Sequence, residues 1–488
     1  LGDVQSSLKT IKELKNTLPL NQIDNKLFVI EGSALISSGE YQSGKEIIIG
    51  LLNKIDNEDE KSRLKVELAY ADFELKMYEE AREQCNILLD KKSLSPELMG
   101  RSYNLKGMID IYLKNDLNSA LENFQNAKSK FSEVGQPARV AGVDVNIGNI
   151  YSIQKDYEKA EMHWQSASEI NKSIGNLEQE GLLLQNLGIF YFNRQRFDSA
   201  VQSYQKAIKI FSSIGNDLSR GLVLWDLGEI YIAYCEYENA LNSLNEAQNI
   251  FEQLNNYAEL LDVLFMKGKL FYKIGAFQNL EKILDNFQTV YSKHNQHSSH
   301  QVFQKLLVQL KSFHKEKIIA LDELKLIQNE MNLRRDNHNL FEVVSLLIQY
   351  YIHEKWYPEA IKELFKPELI DLCSQNSILE AEREYFLGII SKNYESDKLL
   401  SPLVYFEKAY DLIKDESVTE LTWKVTYEIS QLYVERGNYT KAKRFVVYAR
   451  ELIYFIAEKL ESPQLRAAYL KNSERFETLK KLESFYPG

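Results

Sequence analysis

From Pro137 to Leu254 the apolar and polar positions of the chain are written three times in one rhythm. Asn-Ile-Gly-Asn-Ile-Tyr at 146–151 returns as Asn-Leu-Gly-Ile-Phe-Tyr at 186–191 and as Asp-Leu-Gly-Glu-Ile-Tyr at 226–231. Gly148, Gly188 and Gly228 stand 40 residues apart, as do Ala160, Ala200 and Ala240. Within each unit apolar residues recur at the three- and four-residue steps that share one helix face, and a short polar break divides the unit into a helix A and a helix B. Gly135, Gly175 and Gly215 follow helix B where a left-handed residue closes a helix, a conformation glycine reaches without a Cβ penalty. A fixed period of this length predicts stacked helix pairs that bury one another's apolar stripes. A glycine in mid-helix costs about 1 kcal/mol against alanine. Its return at 148, 188, 228 and 268 therefore predicts a gain, expected as close approach of two helix backbones with the Tyr or Phe one turn later filling the adjacent gap.

Outside this stretch the rhythm loosens. Val4, Leu8, Ile11 and Leu14 predict an opening helix that Pro19 ends. Three uneven units follow, with steps of 37 residues from Gly32 to Ala69, 38 to Gly107 and 41 to Gly148. Past Leu254 the consensus letters fade, yet Gly268, Ala320, Ala360 and Gly388 keep the 40-residue grid. Between Asn393 and Pro402 the phase slips by about two residues, so that Phe406 and Ala409 take the places of Tyr204 and Ala207. Tyr433, Ala442 and Ala449 mark a last pair, and a final helix after Pro463 is expected to cover the exposed end. The expected organisation is an opening helix at 1–25, irregular repeats at 26–136, regular repeats at 137–295, divergent repeats at 296–460 and a capping helix at 461–488. The fold class is all-α, a right-handed superhelical solenoid of about eleven antiparallel helix pairs.

The clearest unit carries Leu187, Gly188, Tyr191, Ala200, Tyr204 and Ala207. This pattern resembles the tetratricopeptide repeat family, whose standard unit has about 34 residues. The longer unit is similar to the repeats of spindle-orientation adaptors and kinesin light chains. The resemblance implies that the A helices line a concave groove where peptides bind. The tail from Leu460 to Leu470 also looks like the close of repeat regions attached to signalling ATPases, kinases and cyclases.

Composition narrows the function classes. With Asp+Glu 70 against Lys+Arg 59 the net charge is -11 and no Lys/Arg block stands out, which speaks against a nucleic-acid surface. Cys85, Cys235 and Cys373 lie far apart without a CxxC step, so a reducing, cytoplasmic setting without disulfide framework or zinc knuckle is expected. No apolar run reaches the ~20 residues of a membrane span. The chain opens at Leu1 rather than Met, which fits a fragment or a processed form.

Two stretches invite a chemical reading. Gly39-Glu-Tyr-Gln-Ser-Gly44-Lys45 meets the first seven positions of a phosphate-binding loop, but Glu46 stands where the magnesium-binding hydroxyl belongs and no strand precedes it, so a turn between helices A and B is expected. His294, His297 and His300 lie three apart in a polar, Ser-rich segment without a nearby carboxylate or Cys, which reads as an inter-repeat linker rather than a metal site. No hydrolase, zincin or dinucleotide motif in a supportive context appears, and neither enzymatic activity nor a cofactor is expected.

The A helices carry a second face beside the stacking stripe. Three before, one after and four after the repeat glycine stand Val145, Asn149 and Ser152, then Gln185, Ile189 and Phe192, then Trp225, Glu229 and Ile232, then Phe265, Lys269 and Tyr272. The i, i+4, i+7 spacing puts each trio on one face. Trp225, Phe192, Phe265 and Tyr272, with Gln185 and Ile189, are the expected anchors for a partner, and Asn149, Asn193, Glu229 and Lys269 the expected holders of its backbone or charges. The expected function is a non-catalytic scaffold that binds a protein or peptide segment along its inner surface. The alternative is a sensor module of a larger signalling protein whose ATPase, kinase, cyclase or protease domain lies outside this chain.

Overall fold

The structure is a computed structural model that describes residues 2–17, 25–114, 116–294, 298–334, 337–374, 376–415 and 418–485. Among the described residues there are twenty-six helices and no strand. α1 (Gly2–Thr17) precedes the pairs α2/α3 (Asn25–Ser37, Tyr41–Leu52), α4/α5 (Glu58–Glu74, Tyr78–Leu89), α6/α7 (Pro96–Lys114, Leu117–Glu133) and α8/α9 (Pro137–Ile153, Tyr157–Ser173). Then come α10/α11 (Leu177–Asn193, Phe197–Ile214), α12/α13 (Asp217–Ala233, Tyr237–Gln253), α14/α15 (Tyr257–Ile274, Phe277–His294) and α16/α17 (Ser298–Glu316, Leu321–Arg334). α18/α19 (Asn337–His353, Tyr357–Leu364) is followed by a short α20 (Pro367–Ser374), by α21/α22 (Ser377–Asn393, Pro402–Ile413) and by α23/α24 (Glu420–Glu435, Tyr439–Glu458). α25 (Pro463–Lys471) and α26 (Ser473–Phe485) close the chain. The chain divides into two compact units, Leu1–Leu183 and Leu184–Gly488, and the division falls inside α10, within the most regular stretch of sequence.

The repeat is built by local rules that α11 shows plainly. Ala200, Tyr204, Ala207 and Phe211 form one stripe, each at most 2% exposed, and Gly215 ends the helix in the left-handed region at φ 69°. The A helices α8, α10 and α12 end differently, on non-glycine residues with positive φ: Lys155 (64°), Gln195 (57°) and Cys235 (58°). Each is held because the next residue's N–H returns to the carbonyl of the repeat tyrosine, Asp156 to Tyr151 (2.9 Å), Arg196 to Tyr191 (2.8 Å) and Glu236 to Tyr231 (2.8 Å). The tyrosine backbone thus closes the turn that starts helix B.

The repeat glycines serve a purpose other than the expected meeting of backbones. A Cβ on Gly188 would stand 2.6–2.8 Å from atoms of the Tyr204 ring, one on Gly148 2.5 Å from the Trp164 indole, and one on Gly228 2.7 Å from Leu244. The glycine is a seat for the large side chain sixteen residues on, carried by helix B of the same pair. Gly388 seats Phe406, eighteen residues on, in keeping with the two-residue slip across the connection from Asn393 to Pro402.

The grid fails between 298 and 334. Ala320 is exposed and precedes α17, and Leu324, 0% exposed, occupies the buried fourth position that Ala200 fills in α11. Gly268 is correspondingly filled by Leu307 of α16 instead of a side chain of α15. Register returns with Ala360, buried in the fourth position of α19, but Pro367 cannot continue that helix and the B element is split into α19 and α20. The single capping helix expected after Pro463 is also two, α25 and α26.

The phosphate-loop look-alike is a packing element. Gly39 turns the chain at φ 90°, a Cβ on Gly44 would stand 2.9 Å from the Gly32 carbonyl oxygen, and Lys45 pairs with Asp72 at 2.6 Å. His294 stacks on Tyr257 and His300 lies 3.3 Å from Asp262, while His297 is outside the described residues. Among the described residues no group of His, Cys, Asp or Glu has the arrangement of a metal site, and no helix is long and apolar enough to cross a membrane.

Candidate functional site

In the second unit the inward faces of the A helices enclose a cavity of about 580 Å³. α12 contributes Glu229 and Ile232, α14 Lys269 and Tyr272, α16 Leu310 and His314, α18 Ser345 and Gln349, and α21 Glu382 and Tyr385, all at three- or four-residue helical steps. The beginnings of α23 and α26 complete the wall with Glu420, Lys424, Glu474 and Arg475.

Several charges of this wall are partnered. Lys269, 2% exposed, meets Glu342 at 2.5 Å and donates to Asn339 at 3.2 Å. Ser345 donates to Glu382 at 2.7 Å and accepts from Gln349 at 3.2 Å. Burial, helped by Lys317, pushes His314 down to about 4, so at neutral pH its imidazole is uncharged, stacked on Phe277 at 4.0 Å. Burial likewise raises the Tyr385 and Tyr272 hydroxyls above the usual tyrosine range and keeps them neutral. The wall therefore offers neutral hydrogen-bonding groups and aromatic surface between fixed ion pairs, the mixed lining expected of a site for an amphipathic ligand.

The closing helices are fixed to this wall by one carboxylate. Glu420 accepts from Tyr237 (2.9 Å), Tyr469 (2.9 Å), the Trp423 indole (2.7 Å) and Arg475 (2.9 Å). Arg475 also donates to the Lys273 carbonyl at 2.6 Å, beyond the end of the helix-A face that bears Lys269 and Tyr272. Lys459 pairs with Glu236 at 2.5 Å and the Glu461 N–H donates to Glu238 at 3.1 Å. Earlier in the unit, Gln195 donates to Asn376 at 3.3 Å and accepts from Ser377. Residues 195, 236 and 273, at or beside the ends of three A helices, are thus joined to segments some 180–220 residues later, and the second unit closes on itself around the cavity.

Of the residues expected on the inner face, the cavity brings together Glu229, Lys269 and Tyr272. Gln185 instead donates to Asp226 at 2.8 Å, joining α10 to α12. Phe192 is half-buried edge-on to Tyr234, Ile189 is 42% exposed, and Asn193 is exposed at the end of α10. Trp225 is half-buried with its indole N–H enclosed and lacking an acceptor among the described residues. Phe265 presents no surface, being 3% exposed and stacked on Phe303 with ring centroids 4.4 Å apart. Asn149 lies in the first unit, where it accepts from the Trp164 indole at 3.2 Å. Sequence reasoning missed Gln349 and Ile389, although they stand 80 and 120 residues beyond Lys269 on the same grid and would have been found by extending it. It missed Glu420 and Arg475 because no periodic signal marks them.

The chain is a helix-pair solenoid whose second unit surrounds an inward cavity. Part of it, residues 139–213 and again 179–253, matches the family model of the tetratricopeptide repeat. Among solved structures it is similar to the apo form of RapI, at 17% identity and a TM-score of 0.56, covering 70% of this chain and 97% of that one. It is also similar to aspartyl phosphate phosphatase F from Bacillus subtilis, at 16% identity and a TM-score of 0.50, covering 74% of this chain and 95% of that one. At such identities the likeness is one of fold. No curated protein matches the sequence.

Proposed function

We propose that the chain is a non-catalytic binding scaffold whose second unit takes a peptide or helical segment of a partner protein into its inner cavity. The observation that carries this reading is the cavity of about 580 Å³ walled by successive A helices, with neutral polar groups and aromatic rings held between ion pairs. The volume falls in the range of ligand pockets, roughly 300–1,000 Å³, and suits a short segment better than a long extended chain. Glu229 and Tyr272, from the inner-face set, contact the partner in this reading, whereas Lys269 acts by holding Glu342. The scaffold works without cofactor, nucleic acid or membrane, in a cytoplasmic setting. A sensor role within a larger signalling protein would use the same cavity, and the full-length gene decides it.

The test is a comparison of partner capture by the intact chain and by Gln349→Trp, which fills the cavity from the C-terminal part of α18. Among the described residues Gln349 makes a hydrogen bond only to its own helix, at Ser345, so the variant is expected to keep its melting temperature and weaken capture about tenfold. Capture that is unchanged in a folded Gln349→Trp protein would rule the cavity out.

A further inference from the structure

The residue that ends helix A is covered more and more along the regular repeats: Lys155 is exposed, Gln195 half-buried and Cys235 only 1% exposed, all three in the left-handed conformation. Tyr237 follows the same trend, at 1% exposure where Tyr157 and Phe197 are half-buried. The cover comes from far along the chain. Glu420 and Arg475 both act on the Cys235 thiol through space, and the rings of Tyr237 and Tyr469 stand 6.0 Å apart between centroids. Gly275, at the end of α14, holds φ 84°, and a Cβ there would stand 2.9 Å from the Asn472 side chain and 3.3 Å from the Ala468 carbonyl oxygen. These contacts form a seam. One lip consists of the turns after α10, α12 and α14, and the other of the start of α21 together with α23–α26.

The polar contacts are divided unevenly between the lips. The charge pair that would be costly to break lies wholly on one of them, where Glu420 of α23 accepts from Tyr469 of α25 and Arg475 of α26. The contacts that cross are the Tyr237 hydroxyl to Glu420 (2.9 Å), Arg475 to the Lys273 carbonyl (2.6 Å), the Glu461 N–H to Glu238 (3.1 Å), Gln195 with Asn376 and Ser377, and the ion pair of Lys459 with Glu236, each about a quarter exposed. Parting the lips leaves Glu420 and Arg475 paired and returns the crossing groups to water, which replaces their hydrogen bonds. The strongly unfavourable outcome, a buried charge stranded without its partner, does not arise. Closure also restricts what can enter. A chain end can pass into a shut ring along its axis, whereas a segment from the middle of a chain can be laid in only through an opened side.

We propose that this seam is a parting joint, whose two lips separate while each stays folded, so that the second unit passes between a shut ring and an open one. The open ring admits an internal segment of a partner protein, a consequence that rests on the binding role proposed above. The joint itself is tested without a partner, and either reading can fail alone.

Cys235 reports the opening, and Cys85 and Cys373 serve as controls within the same chain. All three thiols are at most 1% exposed, and burial pushes each up to about 12, which silences them while they are covered. The folded full chain is treated with iodoacetamide at about pH 8, near the ordinary range of an uncovered thiol, and the modified cysteines are located by peptide mass spectrometry. Cys235 is expected to be alkylated well before the other two. Lys459→Gln removes the ion pair across the seam and is expected to speed Cys235 alone, by about fivefold. Lys392→Gln removes the comparably covered pair with Glu428, away from the seam, and is expected to leave the rate unchanged. A Cys235 that stays unmodified, reacts no sooner than Cys85 and Cys373, gains nothing from Lys459→Gln or is speeded equally by Lys392→Gln would overturn the joint.

Discussion

Arg475 and Glu420, 55 residues apart in sequence, meet at 2.9 Å where the closing helix reaches the wall of the cavity, with Arg475 6% and Glu420 18% exposed at the side chain. The pair is a hub, because Tyr237 and Tyr469 donate to the same Glu420 oxygen that Arg475 engages. Burial would raise the Glu420 carboxyl, but Arg475, the Trp423 indole and Lys424 outweigh it and hold it below its ordinary value. Burial would depress Arg475, and Glu420 reverses this and keeps it cationic.

Removing one partner leaves a buried charge uncompensated. Arg475→Met is therefore expected to destabilise the second unit by about 3–5 kcal/mol, and Glu420→Gln in the same chain to recover part of the loss, as read from thermal unfolding of the single and double variants. Because the folded carboxyl is depressed, its contribution is present above the ordinary value of 4.5 and is lost as pH falls through the lower folded value. Equal loss in the single and double variants would show that the two residues do not act as a pair.

Asp226 has the opposite linkage. Burial pushes its carboxyl up to about 7, with Glu229 adding to the rise and the hydrogen bond from Gln185 opposing it. A raised carboxyl gives stability that is complete below the unfolded range near ~4 and is lost as pH rises through the folded value. Asp226→Asn keeps an acceptor for Gln185 and carries no charge. Its melting temperature is expected to exceed that of the parent at about pH 8 and to match it near pH 4. A variant less stable at the higher pH would contradict the assignment.

Gly188→Ala tests the seat. Helix propensity alone favours alanine by about 1 kcal/mol, whereas the added methyl would meet the Tyr204 ring at 2.6 Å. Overpacking of this kind costs about 1–3 kcal/mol, so the variant is expected to melt below the parent. Gly188→Ala combined with Tyr204→Leu should lose less than the two changes taken separately, because the shorter side chain leaves room for the methyl.

Lys155→Gly tests the turn between α8 and α9. Lys155 is exposed and holds φ 64°. A left-handed residue with a Cβ costs about 1–2 kcal/mol, partly returned by the greater freedom of glycine in the unfolded chain. A stability gain of about 0.5–1 kcal/mol is expected in denaturant unfolding. A loss would mean that the lysine side chain contributes more than its backbone strain costs.

The sequence by itself determined the helices, their pairing and the turns that end helix B, because each depends on contacts within one 40-residue unit. Gly215 in the left-handed region and the stripe Ala200, Tyr204, Ala207 and Phe211 follow from the helix period and the helix-ending rule of one unit, and so they read correctly from spacing. The inner face was legible at Glu229, Lys269 and Tyr272 for the same reason, since one grid places them. Spacing could not show which face positions stay open. Phe265 is covered by Phe303 because α16 packs directly on α14, and that packing follows from the failed register at Ala320. Only the tertiary structure decided the closure of the second unit, where Glu420 gathers Tyr237, Tyr469 and Arg475. The rotation from one helix pair to the next accumulates over some 200 residues before those side chains meet, and no window of sequence contains that sum.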